Sequence, residues 1–219
     1  MTREEQRVIR ELKEPLIQAC KEAGKRRGWK TVSGSQYFDR GGILYMLRVS
    51  LPPVCGGRAV SAWLSCKPLA LDEMFWEVFH MAEEAAKMPF SFHVNGAFTA
   101  PVLTLGRWEE PLPAPEDLEC VLETVFSRAE TLAAEHPFPT PAEFRQAVER
   151  EPANSHRTLN IILCLLYERE YVQAMEEIGV ALAQREDGGF LRMNGKRGIL
   201  EDAREWCASR LGSGKEEGR

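Results

Sequence analysis

Three prolines at alternate positions, Pro111, Pro113 and Pro115, separate two parts of the sequence that have different patterns. Proline fixes φ and lacks an amide hydrogen, so this segment suits neither a helix interior nor a central strand. Upstream, β-branched and aromatic residues occur in runs typical of strands, whereas downstream the apolar residues recur at helical spacing. The pattern predicts an α+β domain at residues 1–110 and a helical region at 111–212 that packs on it.

The upstream part contains segments typical of strands, and turn residues rich in glycine join two of them. We expect an antiparallel sheet of about five strands with flanking helices, so the predicted fold class is α+β. The predicted strands are residues 29–38, 43–51, 59–66, 90–95 and 101–108.

Helices are predicted on both sides of the proline segment, because apolar residues recur there at steps of three and four. Pro15 lies inside the first helical pattern, so a kink or two successive helices are expected. The polar residues 213–219 predict a disordered tail. The predicted helices are an opening segment that ends at about residue 23 and residues 71–88, 116–135, 141–150, 159–167, 172–184 and 199–211.

Composition indicates an ordinary globular chain, since 44% of the 219 residues are hydrophobic and 28% are charged. The longest apolar stretch, residues 161–167, is far too short to span a bilayer. The charged N-terminal residues do not fit a secretory signal. We therefore predict a cytoplasmic location and no membrane partner.

The six cysteines are scattered, and none forms the Cys-x-x-Cys pair that zinc and redox sites use. Reduced and mostly buried thiols are predicted, with no metal and no cofactor. Cys55 differs because it follows two prolines in a predicted loop, where Arg58 would favour its thiolate. No partner base is identifiable for this thiol in the sequence.

Glu77 and His80 form a Glu-x-x-His pair, which on a helix would place both side chains on one face. Di-iron sites need two such motifs and two further glutamates, and this sequence contains one motif. A solvated pair is the favoured interpretation, and a cleft around Glu77 and His80 is the enzyme alternative. His93 alternates with apolar neighbours and is predicted to lie on the surface of the sheet. No catalytic residue is assigned.

Residues 188–197 come close to the pattern of a phosphate-binding loop. Five residues rather than four separate Gly189 from Gly195, and Arg197 stands where a Ser or Thr would reach magnesium. The segment also follows a predicted helix rather than a strand. We interpret it as a flexible connector.

A basic run, Lys25-Arg26-Arg27, precedes Trp29 and combines phosphate-neutralising charge with a possible stacking platform. These residues support a nucleic-acid alternative. The net charge of −5 opposes it, and a cationic end is also what a helix C-terminus favours. Nucleic acid is therefore not the expected partner.

Short motifs in the first hundred residues occur in a characteristic order after an amphipathic helix. The chain resembles, over this half, an uncharacterised bacterial domain family of unknown function. Since that family has no established activity, the resemblance implies a bacterial cytoplasmic α+β protein and carries over no functional residues. The motifs are Gly28-Trp29-Lys30, Tyr37-Phe38-Asp39-Arg40, Leu47-Arg48-Val49-Ser50 and Lys67-Pro68-Leu69-Ala70-Leu71-Asp72.

The favoured hypothesis is a non-enzymatic protein-interaction module, adaptor-like or immunity-like, whose partner is another protein. Tryptophans are frequent anchors at interfaces, and the acidic residues 109–123 offer a charged face. Fold alone does not imply function, so these residues are candidates for binding only. The candidate binding residues are Trp76, Trp108, Glu77, His80 and Arg58.

Overall fold

The computed structural model describes residues 2–56, 58–138, 140–186, 188–190 and 198–213. The predicted α+β class is confirmed, with a five-stranded antiparallel sheet, flanking helices and a helical C-terminal region. None of the described helices is long and apolar enough to cross a membrane. The predicted tail beyond residue 213 and most of the connector predicted at 188–197 lie outside the described residues.

The strands follow one another in the sheet in the order of the sequence, as a simple meander. Antiparallel strands can be joined by tight turns, and Ser33 and Gly34 form such a turn with φ values of 45° and 80°. The strands are β1 (Lys30–Val32), β2 (Ser35–Arg40), β3 (Ile43–Ser50), β4 (Ala59–Pro68) and β5 (Leu103–Pro111).

Two of the predicted strands were wrong, although the number of strands was right. Residues 29–38 form two paired strands, because Val32 pairs with Ser35 across the tight turn. Residues 90–95 are not a strand, since Ser91–Asn95 forms a short helix that begins with a hydrogen bond from the Phe92 amide to the Pro89 carbonyl.

The chain divides into two compact units that alternate along the sequence. The sheet unit comprises Met1–Cys66 and Leu103–Pro137, and the helical unit comprises Lys67–Val102 and Phe138–Arg219. The segment between β4 and β5 thus belongs with the C-terminal helices. The continuous domains predicted at 1–110 and 111–212 stay a prediction.

The sheet unit holds two helices, α1 (Arg3–Arg26) and α5 (Leu118–Glu135), which contact each other. Helix α1 is one continuous helix that includes Pro15, so the expected alternative of two successive helices is not formed. Pro15 lies on the exposed side, while Leu12 and Leu16 are buried on the other. Packing of the apolar stripe therefore outweighs the hydrogen bond that the proline removes.

The helical unit contains the remaining α-helices of the described chain, with α7 as its most buried element. Every residue from Leu159 to Leu166 is buried, and α7 contacts α2, α6 and α8. These helices are α2 (Leu69–Val78), α3 (Ala82–Ala85), α4 (Ser91–Asn95), α6 (Pro141–Val148), α7 (Ser155–Tyr167), α8 (Tyr171–Ala183) and α9 (Ile199–Ser213).

The helix predicted at 71–88 is wrong in its extent, because α2 ends at Val78. His80 adopts a left-handed conformation with φ of 58°, and the Met81 amide donates to the Trp76 carbonyl at 2.7 Å. This arrangement is a helix-ending motif that glycine usually provides. The chain then turns into the four-residue helix α3, and this turn creates the pocket described below.

Candidate binding site

An open pocket of about 390 Å³, which we call the Trp76 pocket, lies in the helical unit between α2, α3 and the start of α4. Its formation follows from the end of α2 at Val78, since the returning helix α3 is too short and too rich in alanine to fill the space beside Trp76. Most of its walls are apolar. The lining residues are Glu73, Trp76, Ala82, Ala85, Ala86, Met88, Phe90 and His93.

Trp76 is a fixed wall of this pocket rather than a protruding anchor. The side chain is 7% exposed, and its Nε1–H donates to the Phe98 carbonyl oxygen at 2.7 Å. The indole ring also stacks on Phe92 and lies 4.9 Å from the His93 ring, centroid to centroid. A ring held by a hydrogen bond and two ring contacts has little freedom to rearrange when a ligand enters.

His93 lines the pocket and is anchored behind it by Asp72. The Nδ1 atom of His93 lies 2.7 Å from Oδ2 of Asp72, and the imidazole is 17% exposed. Since a carboxylate accepts hydrogen bonds, Nδ1 carries the proton in this contact, and a neutral ring then offers Nε2 as an acceptor. His93 was predicted on the sheet surface; this is wrong, because it belongs to helix α4.

Asp72 is the centre of a buried charge network with Lys67. The Oδ1 atom of Asp72 accepts from Lys67 Nζ and from the Ala100 amide, each at 2.8 Å. Lys67 is 1% exposed and Asp72 is 0% exposed. Burial lowers the pKa of Lys67, and the neighbouring Asp72 carboxylate opposes this shift.

The hydrogen bonds of this network offset the cost of burying its charges, because both oxygens of the Asp72 carboxylate have a partner. Lys67 Nζ has a second contact with the Ala100 carbonyl oxygen at 3.4 Å. Buried charges are tolerated only when they are paired and hydrogen-bonded in this way. The consequence is that Asp72 cannot move without breaking several bonds at once, so His93 is held in one orientation.

A histidine paired with an aspartate is also the support that many enzymes give to a general base. Such enzymes bring a nucleophile to the free imidazole nitrogen. No Ser, Thr or Cys side chain is among the eight residues that line this pocket. Within the described part of the chain, no group of three or more His, Cys, Asp and Glu side chains could hold a metal ion.

One acidic side chain lines the pocket, and two more lie on helix α3, whose alanines form part of the wall. Glu73 is the lining residue, and Glu83 and Glu84 are exposed on α3. None of the lining residues is a lysine or an arginine. The pocket therefore presents negative charge beside an apolar and aromatic wall.

Glu77 and His80, the residues of the predicted cleft, do not line the Trp76 pocket, and a cleft at these residues stays a prediction. Both are exposed, and His80 lies beyond the end of α2 in its left-handed turn, so the helical spacing of the motif does not apply. The Glu77 carboxylate instead accepts from Arg210 of α9 at 2.6 Å. Of the candidate binding residues in this segment, Trp76 lines the pocket described above, and Glu77 and His80 do not.

The other candidates lie in the sheet unit. Trp108 is a buried residue of β5, and the Arg128 guanidinium lies 5.2 Å from its ring centroid. Arg58 is exposed and lines a separate pocket of about 360 Å³ together with Glu5. Burial and the Glu109 carboxylate raise the pKa of Cys55, so the thiolate that Arg58 was expected to favour is disfavoured.

The basic run next to Trp29 is engaged by the carboxylates of α5. Arg26 contacts Glu119 and Glu123, at 3.0 and 2.7 Å, and Arg27 contacts Glu123 and Glu130, both at 2.6 Å. A nucleic-acid strand would have to displace these carboxylates before it could use the two guanidinium groups.

Sequence reasoning missed the roles of Lys67, Asp72 and His93. Lys67 and Asp72 were noted only as parts of a short motif, and His93 is 21 positions from its partner in the chain. The segment from Lys67 to Asp72 did contain a usable signal, because these two opposite charges flank an apolar run. Nothing in that run tells whether the charges face water or each other.

Comparisons with protein-family models, with curated proteins and with solved structures found no match to this chain. The resemblance of the first half to an uncharacterised bacterial family stays an expectation. The functional argument depends on the pocket and its charges.

Proposed function

We propose that this chain is a non-enzymatic protein-interaction module that receives a partner's side chain in the Trp76 pocket. The observation that carries the proposal is a preformed pocket with mostly apolar walls, fixed by Trp76 and by the anchored His93. Pre-organised pockets that bury one anchoring side chain supply much of the affinity at many interfaces. An adaptor-like or immunity-like role in a bacterial cytoplasm is the context we propose.

The edge of the pocket supports a protein partner over a small ligand. Met88 and Phe90 line it and are 49% and 40% exposed, although both are large and apolar. Aromatic residues and methionine are enriched where interfaces bury surface, and methionine adapts easily to a partner's shape. Contact with a protein would cover both side chains, whereas a ligand confined to the pocket would leave most of them in water.

The pair of His93 and Asp72 favours a second candidate, a ligand-binding protein or enzyme that uses His93 as a proton acceptor. This differs from the predicted cleft at Glu77 and His80. Its substrate or a bound water would have to supply the reacting group, because the pocket lining contains no nucleophile. This second candidate would be favoured if a small molecule bound the wild-type protein but not His93→Ala, and if no protein partner were captured.

Capture of partners by two tryptophan variants tests the module. Ala86→Trp would place a large side chain in the pocket from the residue that follows α3, and Val180→Trp adds the same side chain to an exposed position on α8 that does not line the pocket. Tagged wild-type protein and Val180→Trp should retain one protein in equal amounts, and Ala86→Trp should lose it. Equal retention by all three proteins would contradict the proposal.

A further inference from the structure

Two polar side chains, Glu73 and His93, line the Trp76 pocket. The Glu73 carboxylate accepts hydrogen bonds, and a neutral His93 whose Nδ1–H points at Asp72 would offer Nε2 as a second acceptor. The one indole donor of the pocket, Trp76 Nε1, is already bonded to the Phe98 carbonyl. A ligand that matches these side chains must donate hydrogen bonds.

Charge around the opening leads to the same requirement. Glu73, Glu83 and Glu84 are exposed, and no cation lines the pocket. Lys87 is exposed on the segment after α3 without lining it, and Arg210 is paired with Glu77. A cationic group would therefore meet the Glu73 carboxylate in the pocket lining, whereas an anionic group would meet neither a lysine nor an arginine there.

The walls specify what must be attached to that cation. Met88, Phe90 and the alanines of α3 and its end would contact a hydrocarbon stem. Phe90, a residue that is 40% exposed, can also attract a cation through the π face of its ring. Arginine and lysine both have such stems, but a planar guanidinium carries five donors and stacks on aromatic rings. Its fork carries enough donors for both polar side chains that line the pocket, Glu73 of α2 and His93 of α4.

We infer that the pocket binds the arginine side chain of a basic segment in a partner protein. This inference rests on the proposed function, because it names the side chain that the module receives. Glu73 contacts the guanidinium, His93 accepts one of its hydrogen bonds, and Met88 and Phe90 cover the stem.

Titration calorimetry with short capped peptides tests the inference. The probe is acetyl-Leu-Arg-Leu-amide, and its counterpart carries citrulline, which keeps the shape of arginine and removes its charge. Hydrogen bonds to charged groups predict a loss of roughly tenfold or more in affinity for the citrulline peptide. Glu73→Gln should reduce arginine-peptide binding by a similar factor, while Glu176→Gln, an exposed glutamate of α8, should leave it unchanged.

Two results would overturn the inference and leave the module intact. One is equal binding of the arginine and citrulline peptides. The other is arginine-peptide binding that Glu73→Gln and His93→Ala leave unaltered. The capture experiment separates this failure from that of the module itself: a partner lost only in Ala86→Trp keeps the module, and a partner retained by Ala86→Trp removes both proposals.

Discussion

Each unit of the molecule contains a cluster of opposite charges, and the two clusters differ in their access to water. In the sheet unit, Arg26 and Arg27 at the C-terminal end of α1 contact carboxylates of α5, and the Arg26 and Glu123 side chains are 48% and 40% exposed. In the helical unit, Lys67 and Asp72 are 1% and 0% exposed. Similar ion-pair distances therefore occur in two very different environments.

The difference decides what each cluster can do. Water and salt screen the exposed cluster, so each of its pairs contributes little and can break without a large cost. The buried pair gains more from its attraction, yet it has no solvent to replace a lost partner. The exposed cluster thus adds to the packing of α1 on α5, whereas the buried cluster fixes the geometry of a candidate binding site.

The largest expected effect is that of Asp72→Ala. This change leaves the Lys67 ammonium and the Ala100 amide buried without their acceptor. Loss of one partner from a buried pair costs about 3–5 kcal/mol of unfolding free energy. Urea denaturation followed by circular dichroism measures it, and a loss below about 1 kcal/mol would show that water replaces the carboxylate.

The double variant Lys67→Met with Asp72→Ala sharpens this result. Removing both charges avoids an uncompensated ammonium in the interior, so the double variant should be more stable than Asp72→Ala by at least about 1 kcal/mol. The same urea titration measures the difference. If the two changes simply add, Lys67 is stabilised by groups other than Asp72.

His93→Ala should have a smaller effect on stability and a larger one on binding. Asp72 keeps its bonds to Lys67 and Ala100, so the loss is that of one hydrogen bond to a charged group, about 1.5–3 kcal/mol. Partner capture should decline even where urea denaturation shows that the variant is folded. If a folded His93→Ala protein retained the partner fully, the charge network of Asp72 would not contribute to binding in the pocket.

The sheet was largely predictable because its signals are local. Runs rich in apolar, aromatic and β-branched residues predict strands at 43–51 and 59–66, where the structure has Ile43–Ser50 and Ala59–Pro68. The split at Ser33 and Gly34 was also readable, since a Ser-Gly dipeptide favours a turn, but the alternation on both sides masked it.

The candidate site was not predictable, because its parts come together only in the folded chain. Asp72 stands at the start of α2, where an acidic residue normally favours the helix dipole and faces water. Its burial depends on Lys67 from the end of β4 and on His93 from α4. His80 ends α2 in a conformation that sequence patterns assign to glycine, so the turn that opens the pocket had no visible signal.

The smallest expected effect is that of Arg27→Gln in the exposed cluster. Arg27 contacts Glu123 and Glu130, whose side chains are 40% and 37% exposed, so water screens these pairs and the loss should be about 1 kcal/mol of unfolding free energy. The difference in unfolding free energy between wild type and Arg27→Gln should become smaller in 1 M salt, where the Debye length falls to about 3 Å. A difference that salt leaves unchanged would mean that the packing of the Arg27 stem, not its charge, contributes.

Low pH should also remove the difference in stability between wild type and Arg27→Gln. Hydrogen bonds from Arg26 and Arg27 lower the pKa of Glu123 in the folded state. A carboxyl group with a lowered folded pKa contributes its full stability above its unfolded pKa and loses it as the pH falls through the folded value. Wild type and Arg27→Gln should therefore become equally stable towards low pH, in unfolding curves measured across that range. If the difference in unfolding free energy persists after Glu123 is protonated, Arg27 contributes through contacts that do not depend on this carboxylate. The exposed cluster would then resemble the buried one more closely than its access to water implies.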